Sequence, residues 1–136
     1  MDAETTSSRT QPGIRGVEAV TFFVHDLEQA KAFYRDALQL EPEEEEEDFA
    51  SYRAGPVAVQ LHPAGEPRPG VVLGRSGTGV PVQITFEVAD VDAAIEHVRR
   101  LGVVVFDEPK DRPWGKRDAG VYDPEGNEIY FSQSLD

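Results

Sequence analysis

The chain contains one of its own segments twice. The stretch TFFVHDLEQA (Thr21–Ala30) returns as TFEVADVDAA (Thr85–Ala94), with Thr21/Thr85, Phe22/Phe86, Val24/Val88, Asp26/Asp90 and Ala30/Ala94 identical at a constant offset of 64 residues. A repeat of this length marks a supersecondary unit that cannot bury its apolar face alone and must pack against its twin. Both copies share one grammar: an alternating strand, an aspartate suited to capping a helix N-terminus, then an amphipathic helix. At 136 residues the chain is long enough for one compact unit of two such halves and too short for two ordinary domains.

In the first half Val17–Val24 reads as a strand, and Ala30, Phe33, Tyr34, Ala37 and Leu38 form the apolar stripe of a helix from Leu27 to Leu38. Glu43–Ala54 supplies one or two extended segments, and Gly55-Pro56 marks a turn before the strand Val57–His62. In the second half Val82–Val88 is a strand and Val91–Leu101 a helix stopped by Gly102. A strand Val103–Phe106 follows, then a hairpin of Lys116–Tyr122 and Glu128–Ser132 around Asp123-Pro124-Glu125-Gly126-Asn127. Each half is therefore βαβββ, and the expected class is α+β: two modules, 17–62 and 81–133, forming cupped mixed sheets. Residues 63–80, rich in Gly and Pro, read as the linker, and 1–13 as a polar N-terminal tail outside the single domain 14–136.

Composition removes whole classes of function. Twenty-six acids against thirteen bases give a formal charge of −13, which repels phosphate backbones and anionic lipid, so neither nucleic acid nor a membrane is an expected partner. No apolar run approaches the ~18 residues of a membrane span. The opening MDAETTSSRTQPG lacks the apolar core of a signal peptide, so the expected location is the cytoplasm. Cysteine is absent, which excludes disulfides, thiol nucleophiles and iron–sulfur clusters and leaves His, Asp and Glu as metal-ligand chemistry. The acidic run Glu41–Asp48 reads as a solvated edge strand or hairpin arm.

Strand alternation locates a candidate ligand surface. Val20, Phe22 and Val24 share one face and Ala19, Thr21 and Phe23 the other; Val59 and Leu61 oppose Ala58, Gln60 and His62. In the second half Ile84, Phe86 and Val88 oppose Gln83, Thr85 and Glu87, and Ile129 and Phe131 oppose Glu128, Tyr130 and Ser132. The apolar set packs on the helices. The other set is either a solvated face or, if the halves close into one trough, the lining of a largely neutral pocket for a small organic molecule. His25, His62 and His97 show no paired metal-ligand spacing, and only His62 falls on that surface. Trp114, the sole tryptophan, sits in RPWGKR, where it either plugs a loop against the core or edges a cleft; Arg112, Lys116 and Arg117 make a local cationic spot beside it.

The DLEQAKAFYRDALQL segment (Asp26–Leu40), the repeat and the ending PWGKRDAGVYDPEGNEIYF (Pro113–Phe131) together resemble the vicinal oxygen chelate superfamily, which includes glyoxalases, extradiol dioxygenases and the fosfomycin and bleomycin resistance proteins. The resemblance spans Val17 to Gln133 and implies paired βαβββ modules around a cupped sheet. It also implies, for enzymatic members, a divalent metal held by His, Glu or Gln on the first and fourth strands of each half. By strand position those places here are Ala19, Gln60, Gln83 and Tyr130, none of them a histidine or a carboxylate. The pattern PWGxR recurs in bleomycin-resistance-like members, whose loop edges the ligand cavity.

The combined expectation is a protein without metal or other cofactor that binds and sequesters a small drug or metabolite. Its candidate contacts are Phe23, Gln60, His62, Gln83, Thr85, Glu87, Trp114, Arg117 and Tyr130. The expected partner besides the ligand is a second copy of the chain, since half-cupped sheets leave apolar edges. Two alternatives stand beside it: a glyoxalase-like lyase or dioxygenase using a displaced metal site, and a non-catalytic dimeric interaction module.

Overall fold

The computed structural model describes residues 12–65 and 82–136, so most of the expected tail and linker lie outside the described residues. The first half runs β1 (Ala19–Val24), α1 (Leu27–Ala32) extended by a π-helical turn (Phe33–Ala37), β2 (Glu41–Glu46), β3 (Phe49–Ala54) and β4 (Val57–Pro63). The second runs β5 (Gln83–Glu87), α2 (Val91–Arg100), β6 (Val105–Asp111), β7 (Lys116–Tyr122) and β8 (Glu128–Ser134). They form two four-stranded mixed sheets of matching order, β1-β4-β3-β2 and β5-β8-β7-β6. In each, the first strand lies parallel to the last and the remaining pairs are antiparallel. This is the α+β fold of two βαβββ modules that the repeat dictates.

The shared aspartates do what their position suggests. Asp26 Oδ1 accepts from the Gln29 amide at 3.0 Å and Asp90 Oδ1 from the Ala93 amide at 3.1 Å, each satisfying a donor the first helical turn leaves open. Helix α2 closes on Gly102, whose φ of +84° suits a residue without Cβ; Val103 N then reaches back to Val98 O at 3.1 Å. At the equivalent place in the first half stands Gln39, at φ +57°. Gln39 lies thirteen positions after Asp26, whereas Gly102 lies twelve after Asp90, so the first copy carries one extra residue. The π turn absorbs it, with Leu38 N bonded to Phe33 O at 2.9 Å. The uninterrupted helix expected over Leu27–Leu38 is corrected accordingly.

The apolar faces meet in one core. Phe22, Val24, Val59 and Leu61 of the first sheet and Ile129, Phe131, Ala119 and Val121 of the second are buried together with Tyr34, Val91, Ile95 and Val98 from the helices. A polar clasp joins the halves within it. Tyr34 donates its hydroxyl to Asp123 Oδ2 at 2.7 Å, and the same carboxylate accepts from the amides of Glu125 (2.9 Å) and Asn127 (2.8 Å) and from Asn127 Nδ2 (3.1 Å). The adjoining Glu125 accepts from the Asp26 amide at 3.2 Å, and His25 Nδ1 lies 3.5 Å from its other oxygen. The DPEGN turn of the second half is thus bolted to the strand-to-helix corner of the first.

The acidic run forms β2, the exposed edge of the first sheet. Its charges are distributed: Glu43 pairs with Arg53 at 2.8 Å, and Glu45 accepts from Arg35 (3.0 Å) and Tyr52 (2.6 Å). An edge strand so charged is a poor template for aggregation. Several boundaries differ from the sequence reading. Strand β1 starts at Ala19 and not Val17, and β6 starts at Val105 and continues to Asp111 because register irregularities let a Pro-containing stretch stay paired to β7.

Asp123→Ala strips four donors of their acceptor and is expected to cost about 3 kcal/mol or more, against about 1 kcal/mol for Tyr34→Phe, measured by urea denaturation. Burial and then the Asp123 charge push the Tyr34 phenol well above its usual pKa. The folded state therefore keeps a proton that the unfolded chain releases above about pH 10, so stability falls as pH rises past that point. Tyr34→Phe is expected to flatten this alkaline loss.

Candidate functional site

The residues left outside the core fall on the outer face of each sheet, as the alternation requires. On the first, Thr21, Gln60 and Ser51 stand side by side across β1, β4 and β3, and Thr21 Oγ1 donates to Gln60 Oε1 at 3.3 Å. Beside them Phe23 and Phe49 flank His62, with ring centroids 5.8 and 4.7 Å from the imidazole. Phe23 is 51% exposed, a large apolar side chain presented to the outside of the fold.

The second outer face carries Gln83, whose Nε2 donates to Glu128 Oε1 at 2.8 Å, then Thr85 opposite Tyr130 and Glu87 opposite Ser132. Asp118, Gly120 and Tyr122 of β7 align with Ser132, Tyr130 and Glu128 and so share this face. Strand β6 completes it through a bulge. Val105 pairs with Val121 on the core side, yet Asp107 pairs with Gly120 on the outer side, which leaves Phe106 and Asp107 together opposite one residue. Tyr130 donates its hydroxyl to Asp107 Oδ2 at 2.9 Å, and Arg112 bridges Asp107 (2.8 Å) and Asp118 (2.6 Å). Phe106 stacks on Tyr122, centroids 4.4 Å apart, and meets Tyr130 edge-on at 5.6 Å. Partial burial, then the Asp107 hydrogen bond, push the Tyr130 phenol up to about 12, so it is neutral at working pH.

Trp114 lies at the turn between β6 and β7, and Arg117 near the start of β7, paired with Asp111. The Arg117 guanidinium is divided between Asp92 of α2 (2.9 Å) and Asp111 (2.9 Å), ties that raise its own pKa and lower that of Asp92. Arg112, and not Arg117, is the cation tied into the outer face. Trp114 is 67% exposed beside Gly115, at φ +84°, so the core-plug reading of this indole is wrong.

Phe23, Gln60 and His62 thus stand together on one sheet, and Gln83, Thr85, Glu87 and Tyr130 on the other. A cavity of about 780 Å³ lies between the halves, lined by Val20 and Val59 of the first sheet and Ile84, Phe86, Val88 and Phe131 of the second. These are the helix-side residues, so the outer faces turn away from that space; Thr85 and Glu87 reach its rim because β5 is an edge strand. The single trough considered from the sequence is not formed between the two outer faces of one chain. Sequence reasoning missed Phe106, Asp107, Asp118, Tyr122 and Phe49. A bulge displaces the first two from strict period-two order, and the others were not assigned to a face.

Residues 16–131 match the family model described as the Glyoxalase/Bleomycin resistance protein/Dioxygenase superfamily. The chain belongs to this superfamily. A bleomycin resistance protein from Geobacillus stearothermophilus is 26% identical over 121 residues, covering 82% of this chain and 92% of that protein. TnmS3, an antibiotic binding protein from Streptomyces sp. CB03234, superposes with a TM-score of 0.72 at 25% identity, over 91% of this chain and 99% of its own. TioX from Micromonospora sp. ML1 shares the fold with a TM-score of 0.74 at 21% identity, over 89% of this chain and all of its own, 100%.

The donor set at the superfamily's metal positions does not fit a metal. Ala19 has no donor atom, the Gln60 and Gln83 amides are already hydrogen-bonded, and Tyr130 is a protonated phenol bound to Asp107. Among the described residues no three His, Asp or Glu side chains gather as a metal-binding group. The face instead offers aromatic rings, amides and hydroxyls, the chemistry of recognition by stacking and hydrogen bonding.

Asp107→Asn removes the charge that adds to burial in raising the Tyr130 phenol and is expected to lower its pKa from about 12, read by NMR titration of ring-labelled tyrosine. Trp114→Ala, at an exposed position, is expected to change stability by less than about 0.5 kcal/mol in urea denaturation.

Proposed function

We propose that this chain is a metal-independent binding protein that sequesters a small organic molecule, in the manner of a drug-binding resistance protein and not of an enzyme. The observation that carries this reading is the chemistry of the outer faces. They present Phe23, Phe49, His62, Phe106, Tyr122 and Tyr130 beside amides, hydroxyls and internally paired charges, and a protonated Tyr130 where a metal ligand would stand. Trp114 and the Arg112 bridge sit at the border of the second face. The relation to bleomycin resistance proteins and to an antibiotic binding protein supports the same reading.

The binding unit is a homodimer. Among the described residues strands β1 and β5 are edges of their sheets, and the apolar cavity between the halves lies beside them. Placing β1 of one chain next to β5 of a second joins an outer face from each into one continuous concave surface and covers the cavity. The ligand then contacts Gln60 and His62 of one chain and Gln83, Thr85, Glu87 and Tyr130 of the other. A stable pairing of this kind buries on the order of 1,600 Å² in total, in isologous symmetry.

The test is a thermal-shift screen followed by calorimetry in excess EDTA, using bleomycin and a panel of flat aromatic antibiotics. The expected result is a rise in melting temperature and one ligand per chain, retained without metal. Binding that appears only after adding a divalent metal, or turnover of the ligand, overturns the proposal. Light scattering is expected to give twice the chain mass of 15.0 kDa.

A further inference from the structure

The ring of Phe106 stands in a slot. Its floor is Gly120, where an added Cβ would lie 2.7 Å from Phe106 Cζ and 3.1 Å from Cε1, so the tip of the ring rests on the glycine backbone. One wall is Tyr122, stacked on the ring at 4.4 Å with planes 26° apart; the other is Tyr130, edge-on at 5.6 Å and 87°. Tyr130 is fixed in turn by its hydrogen bond to Asp107, and Asp107 by Arg112. Phe106 itself belongs to β6, the edge strand of the sheet, at a bulge with register irregularities on both sides of Asp107. The walls and floor therefore sit on paired central strands, while the ring that fills the slot hangs from an edge strand at a bulge.

We propose that this slot is an aryl-binding subsite that the protein keeps filled with its own Phe106, and that a ligand's planar aryl or heteroaryl ring enters in exchange for it. Phe106 is then an internal competitor: it keeps the aromatic walls dry in the free protein and sets a threshold that only rings able to stack between two tyrosines pass. Gly120 is the specificity-determining residue, because any side chain there raises the floor. The purpose of the slot rests on the binding reading above; its existence does not.

The experiment uses indole as a ring-sized probe and the full-length protein in four forms: wild type, Phe106→Ala, Gly120→Ala and the double variant. Phe106 is half-buried, so Phe106→Ala opens the slot on the outer face, and the variant is expected to bind indole roughly tenfold tighter than wild type by calorimetry. The double variant, with its floor raised, is expected to lose that gain, and Gly120→Ala alone to bind no better than wild type. Equal indole affinity in wild type and Phe106→Ala, or a gain that survives Gly120→Ala, overturns the slot. Should Phe106→Ala fail to fold by circular dichroism, NMR of the wild type decides. Titration with indole is expected to move the Phe106 ring resonances out of the Tyr122 ring current, and unchanged resonances overturn the exchange. A wild type that binds none of the antibiotic panel while Phe106→Ala takes up indole upholds the slot and overturns only the ligand reading.

Discussion

The structure depends on one buried carboxylate. Asp123 gathers the Tyr34 hydroxyl from the first half and the amides of its own turn from the second, so the same group that shapes the β7–β8 hairpin also fixes that hairpin to α1. A buried charge is costly unless its lone pairs are filled, and here four donors fill them. That condition couples local and long-range structure: three of the four donors come from the turn itself and the fourth, Tyr34, from the other half, so one carboxylate serves both.

Fixing the halves in this way has a consequence for binding. Docking consumes the helix-side faces and leaves the outer faces on separate sheets. Among the described residues β1 and β5 are the sheet edges beside the cavity, which is where the proposed dimer pairs them.

Much of this was legible beforehand. The repeat and the alternation of Val20-Phe22-Val24 and Ile84-Phe86-Val88 specify two βαβββ modules and which side of each sheet is core, because period-two patterning leaves only one register that buries those residues. The aspartate caps and Gly102 were visible for the same local reason. What was hidden depends on interactions between distant residues or on breaks in periodicity. The π turn after Ala32 follows from one added residue, seen only by counting the two helices against each other. Phe106 and Asp107 share a face because of a bulge that no alternation rule foresees. Trp114 could be core or surface from sequence alone, and its exposure follows from the tight turn that Arg112 N and Lys116 O close. The clasp was invisible for a different reason: a DPxGN turn is explained by its own backbone needs, and nothing local announces a tyrosine 89 residues away.

The central claim is that a metal-free site is shared between two chains, one sheet from each. Subunit complementation tests it most directly. One variant, Gln60→Ala with His62→Ala, removes the first sheet's contacts; another, Tyr130→Ala, removes those of the second. Each alone should bind no ligand in EDTA. Mixed and allowed to exchange at random, half the dimers are mixed and each holds one intact site, so about a quarter of wild-type capacity should return. A mixture that recovers nothing, while each variant still folds and dimerises, contradicts the account.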